Sequence, residues 1–264
     1  MKKNRLRELL DAGKPTIGTH MITTSPQIVE VIGHSGAFDY IELTGEYASW
    51  GVIDLENFAR AVDLFPDMSS MMKVEQEPRI FITGRSLGAG IQNVLFSDCH
   101  SAEEVKECIR AVKPETPEDR GVRGCSMQRS SGYVLDVGNE AWTQAQRNVV
   151  IAIMIEKASA MEQLEEILSV EGVDMVNFGP CDYALSLGRP GQRNSPDIQK
   201  KERDMIELAL KKGVQPRMEI GSFEQAKEYI DMGVRHFCIG FDLVIFYQWC
   251  QQQREGMRRL LASI

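Results

Sequence analysis

Two short stretches decide the fold: Val150–Glu156, VIAIMIE, and Met175–Asp182, MVNFGPCD. Each is an apolar run of strand length leading to one carboxylate, Glu156 at the end of the first and Asp182 just past a Gly-Pro turn in the second. A helix-like segment follows each. Continuous apolar runs bounded by turn residues fit strands buried on both faces, and strand–helix alternation sets such strands side by side in a parallel sheet. Two carboxylates at neighbouring strand ends, 26 residues apart in sequence, can share one hard divalent cation.

Working outward, the same alternation fills the chain. Strands are expected at Thr16–Met21, Tyr40–Leu43, Ser69–Val74, Ile91–Phe96, Val150–Ile155, Met175–Phe178, Gln215–Ile220 and His236–Ile239. Helices are expected at Arg5–Ala12, Pro26–His34, Leu55–Phe65, Pro78–Leu87, Ala102–Val112, Ala158–Ser169, Tyr183–Leu187, Asp197–Lys212, Phe223–Met232 and Leu243–Ala262. Their ends carry ordinary signals: Ser25 and Ser101 as N-caps, Gly36 as a stop, and Pro78 in a first turn. Only Lys113–Arg147, rich in Pro, Gly, Ser and Arg, breaks the rhythm, and loops of that length usually carry function. Eight strands alternating with helices over 264 residues predict one closed (β/α)8 TIM barrel, 1–264, with no linker dividing it.

Composition narrows the partners. A net charge of −8 disfavours nucleic acid and anionic membrane. No apolar run approaches the roughly 18 residues of a membrane span. The charged N-terminus lacks the apolar centre of a signal peptide, which predicts a cytoplasmic protein. Six scattered cysteines without a C-x-x-C predict reduced thiols rather than zinc or disulfides.

In a barrel of this kind the active site lies at the C-terminal strand ends. The residues there are His20, Glu46, Tyr47, Lys73, Ser97, Asp98, Glu156, Asp182, Arg217, Glu219, Gly240 and Asp242. Burying Glu156 after four apolar residues requires a compensating charge, either a metal or a structural Lys or Arg. The GPCD turn exposes backbone N–H groups that suit a substrate carboxylate. Cys181 beside Asp182 is either reactive or a small side chain in a tight turn. Lys73 reads as a substrate-carboxylate ligand, a salt-bridged structural lysine, or a Schiff-base lysine that would need a depressed pKa. His20 is the one histidine on the catalytic face, a base or a hydrogen-bonded structural group. Arg120 and Arg123 of RGVRG suit an anionic substrate, a neighbouring subunit, or plain solvent.

With these residues laid out, the chain resembles the HpcH/HpaI family of class II pyruvate aldolases over nearly its whole length. The matching segments are Gly18, Phe38-Asp39, Gly45-Glu46, the segment SAEEVKECIRAVKPETPEDRGVRG, Ile155-Glu156, VEGVD (Val170–Asp174) and GPCDYALSLG (Gly179–Gly188). The resemblance implies a barrel with an exchanged C-terminal helix and a hexamer built as a trimer of dimers. It also implies Mg2+, Mn2+ or Co2+ held by Glu156 and Asp182, with pyruvate on that metal and its carboxylate on the amides of Cys181 and Asp182. The departures are as informative. The family's Asp-Gly-Glu-His, source of its acid/base dyad, is Thr44-Gly45-Glu46-Tyr47 here. The family Arg of the third strand is Lys73, the Gln before the metal-binding Glu is Met154, and the Pro ending the fourth strand is Ser97.

The expected function is a divalent-metal-dependent aldolase that cleaves a 4-hydroxy-2-oxo acid to pyruvate and an aldehyde. Lys73, Arg123 or Arg217 would contact the substrate's acidic end. Tyr47 or His20, with a metal-bound water, would handle the proton. The rivals are another enolate reaction (citrate-like condensation, decarboxylation or acyl-CoA lysis) and a non-catalytic 2-oxo-acid-binding protein.

Overall fold

A computed structural model describes residues 2–264. Eight parallel strands close into a barrel in sequential order: β1 (Thr16–Met21), β2 (Tyr40–Thr44), β3 (Ser69–Val74), β4 (Asn93–Phe96), β5 (Ile151–Ile155), β6 (Met175–Phe178), β7 (Gln215–Ile220) and β8 (His236–Phe241). The (β/α)8 expectation is therefore met, and four of the eight strands have the bounds read from the sequence. The helix Ala102–Val112 also matches, with Ser101 Oγ accepting from Glu104 N at 3.2 Å.

Strand side chains alternate in direction, so each strand feeds two cores. Outward residues such as Ile41, Leu43, Val94, Ile153 and Val176 pack beneath the helices. Inward residues Tyr40, Met71, Leu95, Ala152, Met154, Met175 and Cys238 fill the barrel, joined by Leu6 of the leading helix Arg5–Asp11. That helix closes the N-terminal mouth, where Asn4 Nδ2 donates to Asn93 Oδ1 at 2.7 Å. The same inward parity, followed toward the strands' C-terminal ends, delivers His20, Glu42, Lys73, Asn177, Arg217 and Glu219 to the opposite end of the barrel.

Several bounds differ from expectation. The helix expected at Leu55–Phe65 starts earlier, at Val52, because Asp54 accepts from Gly51 N at 2.7 Å and fixes the first turn there. Pro78 caps its helix (Arg79–Ala89) rather than entering it. The segment expected as one helix over Ala158–Ser169 breaks at Gln163 into Ala158–Glu162 and Leu164–Ile167. The long segment 113–147 is not without structure. It carries a 3-10 turn, Arg129–Ser131, and a helix, Glu140–Arg147, whose Arg147 clamps Asp119 through Nε at 2.9 Å and Nη2 at 2.8 Å.

The last helix, Asp242–Leu261, buries none of its residues. Leu243, Val244, Ile245, Phe246, Tyr247 and Trp249 are all exposed on it. No helix is long and apolar enough to cross a membrane among the described residues. All six cysteines are free.

Gly18 is required by packing, not by backbone angle. A Cβ there would lie 2.3 Å from the Tyr40 ring, which fills the barrel over it. Overpacking of this kind costs about 1–3 kcal/mol. Gly18→Ala should lower the urea-unfolding free energy by about that amount, and an unchanged midpoint would contradict the close approach.

Candidate active site

The polar end of the barrel holds two charge clusters and a carboxylate that belongs to neither. The first cluster surrounds Arg217, whose side chain is fully buried. Nε donates to Tyr40 Oη at 2.7 Å, and Nη1 donates to Asn177 Oδ1 at 2.9 Å and Glu219 Oε1 at 3.0 Å. Nη2 donates to Glu42. Burial opposes the cation, but Glu42, Tyr40, Cys238 and Glu219 outweigh it and raise the arginine's pKa. Arg217 was expected to bind substrate. Its guanidinium is instead spent on protein acceptors, and it serves as the counter-ion of the barrel interior.

His20 lies in the same cluster, 1% exposed. Nδ1 is 2.9 Å from Gly240 O, Nε2 is 3.4 Å from Glu219 Oε1, and the ring stacks on Phe241 at 4.1 Å. Burial disfavours its charged form, yet Cys238, Glu219 and Glu42 raise the pKa well above that of a free histidine. Opposing burial, His20 and Arg217 in turn hold Glu219 well below the usual carboxylate range. Glu219 and Glu42 thus favour the charged form of His20, and its Nε2 lies against Glu219 rather than open to act as a base.

The second cluster is Lys73 with Glu46 and Tyr47. Lys73 Nζ lies 2.5 Å from Glu46 Oε2 and donates to Tyr47 Oη at 2.9 Å. Its side chain is 3% exposed. Burial again opposes the charge, but Glu156, Tyr47 and Glu46 raise the lysine's pKa. A Schiff-base lysine needs the opposite shift, so that reading falls. Burial raises the Tyr47 pKa, although Lys73 pulls it down. The phenol stays protonated, and because its oxygen accepts from Lys73 its own proton is free to be donated.

Glu156 follows β5 and is 1% exposed. Oε1 accepts from the Asp98 backbone N–H at 2.7 Å. No donor among the described residues reaches Oε2. A Cβ at Gly179 would sit 2.6 Å from Oε2, so the carboxylate can lie against the end of β6 only because that residue is glycine. Pro180 then opens the short helix Pro180–Ser186, with Asp182 in its first turn. Asp182 is half-buried and makes no ion pair among the described residues. Burial pushes the Glu156 pKa up to about 7, against the pull of Lys73 and the Asp98 amide.

Ion pairs join Arg217 to Glu42 and Glu219, His20 to Glu219, Lys73 to Glu46 and Lys157 to Asp98. Glu156 and Asp182 are in no ion pair among the described residues, although Lys73 acts on Glu156 through its charge. Once ionised, the two carboxylates fit a hard divalent cation in charge and in donor type.

The remaining expected residues are less central. Cys181 is exposed, with its sulfur 3.4 Å from Arg193 Nη1. Arg123, expected to contact substrate, is buried outside the barrel against helix Arg79–Ala89. Its Nη1 reaches Thr83 O at 3.5 Å, and burial lowers its pKa to about 10. No contact joins Arg123 to Glu156, Asp182 or Lys73. Asp242 opens the last helix and accepts from Ile22 N at 2.9 Å and Thr23 N at 3.1 Å. Tyr40, Glu42 and Asn177 join the clusters without standing at the C-terminal end of a strand. The signal that finds them is inward parity: Glu42 lies two residues before the strand end, opposite His20.

Fold and site together define a (β/α)8 protein whose catalytic end carries an unpartnered pair of acids. The family model of the HpcH/HpaI aldolase/citrate lyase family matches residues 18–248, and the chain belongs to that family. A curated relative, 4-hydroxy-2-oxo-heptane-1,7-dioate aldolase of Shigella boydii, is 27% identical over 245 residues, covering 92% of this chain and 90% of its own. Among solved structures, an HpcH/HpaI aldolase/citrate lyase family protein from Burkholderia cenocepacia superposes with a TM-score of 0.87 at 23% identity, covering 97% of this chain and 100% of that one. Citrate synthase SbnG superposes at 0.84 with 20% identity, covering 97% and 98%.

The raised Glu156 pKa has a consequence for stability. The folded state binds this proton more tightly than the unfolded chain, whose carboxyl titrates near its ordinary 4.5. Stability is therefore greatest below that value and falls as pH rises toward about 7. The loss amounts to about 3 kcal/mol at 1.36 kcal/mol per pKa unit. In chelator-treated protein, Glu156→Gln should flatten the fall in urea-unfolding free energy between about pH 5 and pH 8. Identical slopes in the two proteins would contradict the burial argument.

Proposed function

We propose that the protein is a divalent-metal-dependent aldolase that cleaves a 4-hydroxy-2-oxo acid to pyruvate and an aldehyde. The observation that carries this reading is the Glu156 carboxylate, buried outside any ion pair among the described residues and beside the turn bearing Asp182. Glu156 and Asp182 would hold Mg2+, Mn2+ or Co2+, which supplies Lewis-acid polarisation of the substrate's keto group. The family and the aldolase relative support the same chemistry.

This chain's residues then divide the work. The amides of Cys181 and Asp182, at the start of the helix, would receive the substrate carboxylate. Lys73, kept protonated by Glu156, Tyr47 and Glu46, is the fixed positive charge for developing anionic oxygen. Cleavage breaks the C3–C4 bond: the C4 hydroxyl gives its proton to water and its oxygen becomes the aldehyde oxygen, while the electron pair of the broken bond stays on the pyruvate carbon, which must gain a proton. Tyr47, a neutral phenol whose oxygen is held by Lys73, is the donor on the catalytic face where the family's histidine is replaced. His20 acts behind it through Glu219, holding that carboxylate's charge and position.

The exposed apolar side chains of helix Asp242–Leu261 support a homo-oligomer in which this helix packs on another copy, as in an exchanged-helix hexamer. Burying several large aromatic and aliphatic side chains in that way would be worth about 1.5–3 kcal/mol each.

Exchange of pyruvate methyl protons in deuterated water tests the core of the proposal. It should proceed with Mn2+ or Mg2+, stop on chelation, and fall at least about a hundredfold in Glu156→Gln, the scale on which one electrostatic group acts. Pyruvate binding without exchange would point to the binding-protein reading. Exchange without pyruvate release from any 4-hydroxy-2-oxo acid would point to condensation or another enolate reaction.

A further inference from the structure

We propose that Asp98 is a positioning residue for the proposed metal ligand Glu156, and that it acts through its backbone. The inference rests on the reading of Glu156 as a ligand and deepens it. Asp98 follows β4 with φ of +54°, in the left-handed region that L side chains other than Asn and Asp rarely enter. Its side chain pairs with Lys157, the residue next to Glu156. Ser97 anchors the turn from the other side, its N–H and its Oγ both meeting Val74 O, at 3.3 Å and 3.0 Å. Between these holds, the Asp98 N–H points to Glu156 Oε1 at 2.7 Å.

The consequence lies in the two oxygens of Glu156. With Oε1 fixed by the amide and Oε2 lying against Gly179, the carboxylate cannot rotate freely, and Oε2 is the oxygen left for a cation. A left-handed residue at a functional end of a strand is a common place for such strain. Aspartate suits the position twice: it tolerates the conformation, and it supplies the anion that holds Lys157 away from Glu156. Without Asp98, Lys157 is a second cation, besides Lys73, released to approach the Glu156 carboxylate.

Two readouts on Asp98→Ala, Asp98→Asn and Lys157→Met test this. The first is hydrogen exchange of the residue-98 amide in metal-free protein. The second is the Mn2+ dissociation constant, read by electron paramagnetic resonance. In wild type the amide should be protected. Asp98→Ala should lose at least about tenfold of that protection and bind Mn2+ about tenfold more weakly. Asp98→Asn, which tolerates the left-handed region but gives up the pairing with Lys157, should lose clearly less than Asp98→Ala on both. Lys157→Met should loosen the amide and retain the fold. If the Ala and Asn variants lose Mn2+ equally, the carboxylate rather than the backbone matters and the inference is overturned. Unchanged amide protection in Asp98→Ala and Lys157→Met overturns it as well, whatever the metal result. A wild-type protein with a protected amide but no Mn2+ affinity contradicts the metal reading and leaves the hold on Glu156 supported.

Discussion

Charge balance inside a narrow tube governs this molecule. A parallel barrel turns every second strand residue inward, and this chain places acids and bases at those positions near one mouth. A charge in such a place costs several kcal/mol unless it is paired, so each must find a partner within a few ångströms. Arg217 answers Glu42 and Glu219, helped by His20. Lys73 answers Glu46. Glu156 and Asp182 are left outside these pairs, and the proposed metal site is built on that remainder.

The supporting structure serves this arrangement. Gly18 leaves room for the Tyr40 ring, and the Tyr40 hydroxyl accepts from Arg217 Nε. Arg217 thereby stays fixed where it can hold two carboxylates from different strands. Gly179 lets Glu156 approach the end of β6, and the turn at Asp98 restrains it from the side of β4. Strands β4, β5 and β6 thus converge on one carboxylate. The pairing of Lys157 with Asp98 engages the lysine next to Glu156 in the chain with another carboxylate.

The fold was legible in the sequence because its signals are local and repeated. Apolar runs such as VIAIMI and MVNF, punctuated by Gly and Pro, need no knowledge of distant contacts. The two acids stood out for the same reason, since Glu156 follows one recognisable strand and Asp182 follows the next by a Gly-Pro turn. The roles of the cations were not. Arg217 and Lys73 look alike as basic residues on strands, and only the packed barrel shows one consumed by Tyr40, Asn177, Glu42 and Glu219 and the other presented to Glu156. Arg123 read as a loop arginine open to an anionic substrate, whereas the bridge between Pro114 and Arg123 accompanies its burial against helix Arg79–Ala89. Glu42 was hidden inside YIELT, where counting from the strand end passes it by and counting inward-facing positions finds it. The replacement of the family's acid/base pair by Thr44 and Tyr47 was visible, but the lysine that holds the phenol's oxygen lies 26 residues away.

Diffraction from crystals soaked in Mn2+, recorded at a wavelength where manganese scatters anomalously, tests the central claim most directly. The account predicts one strong anomalous peak within coordination distance of both Glu156 and Asp182, lost in Glu156→Gln. A map with no peak there, with Glu156 instead turned to Lys73 or Lys157, would contradict it.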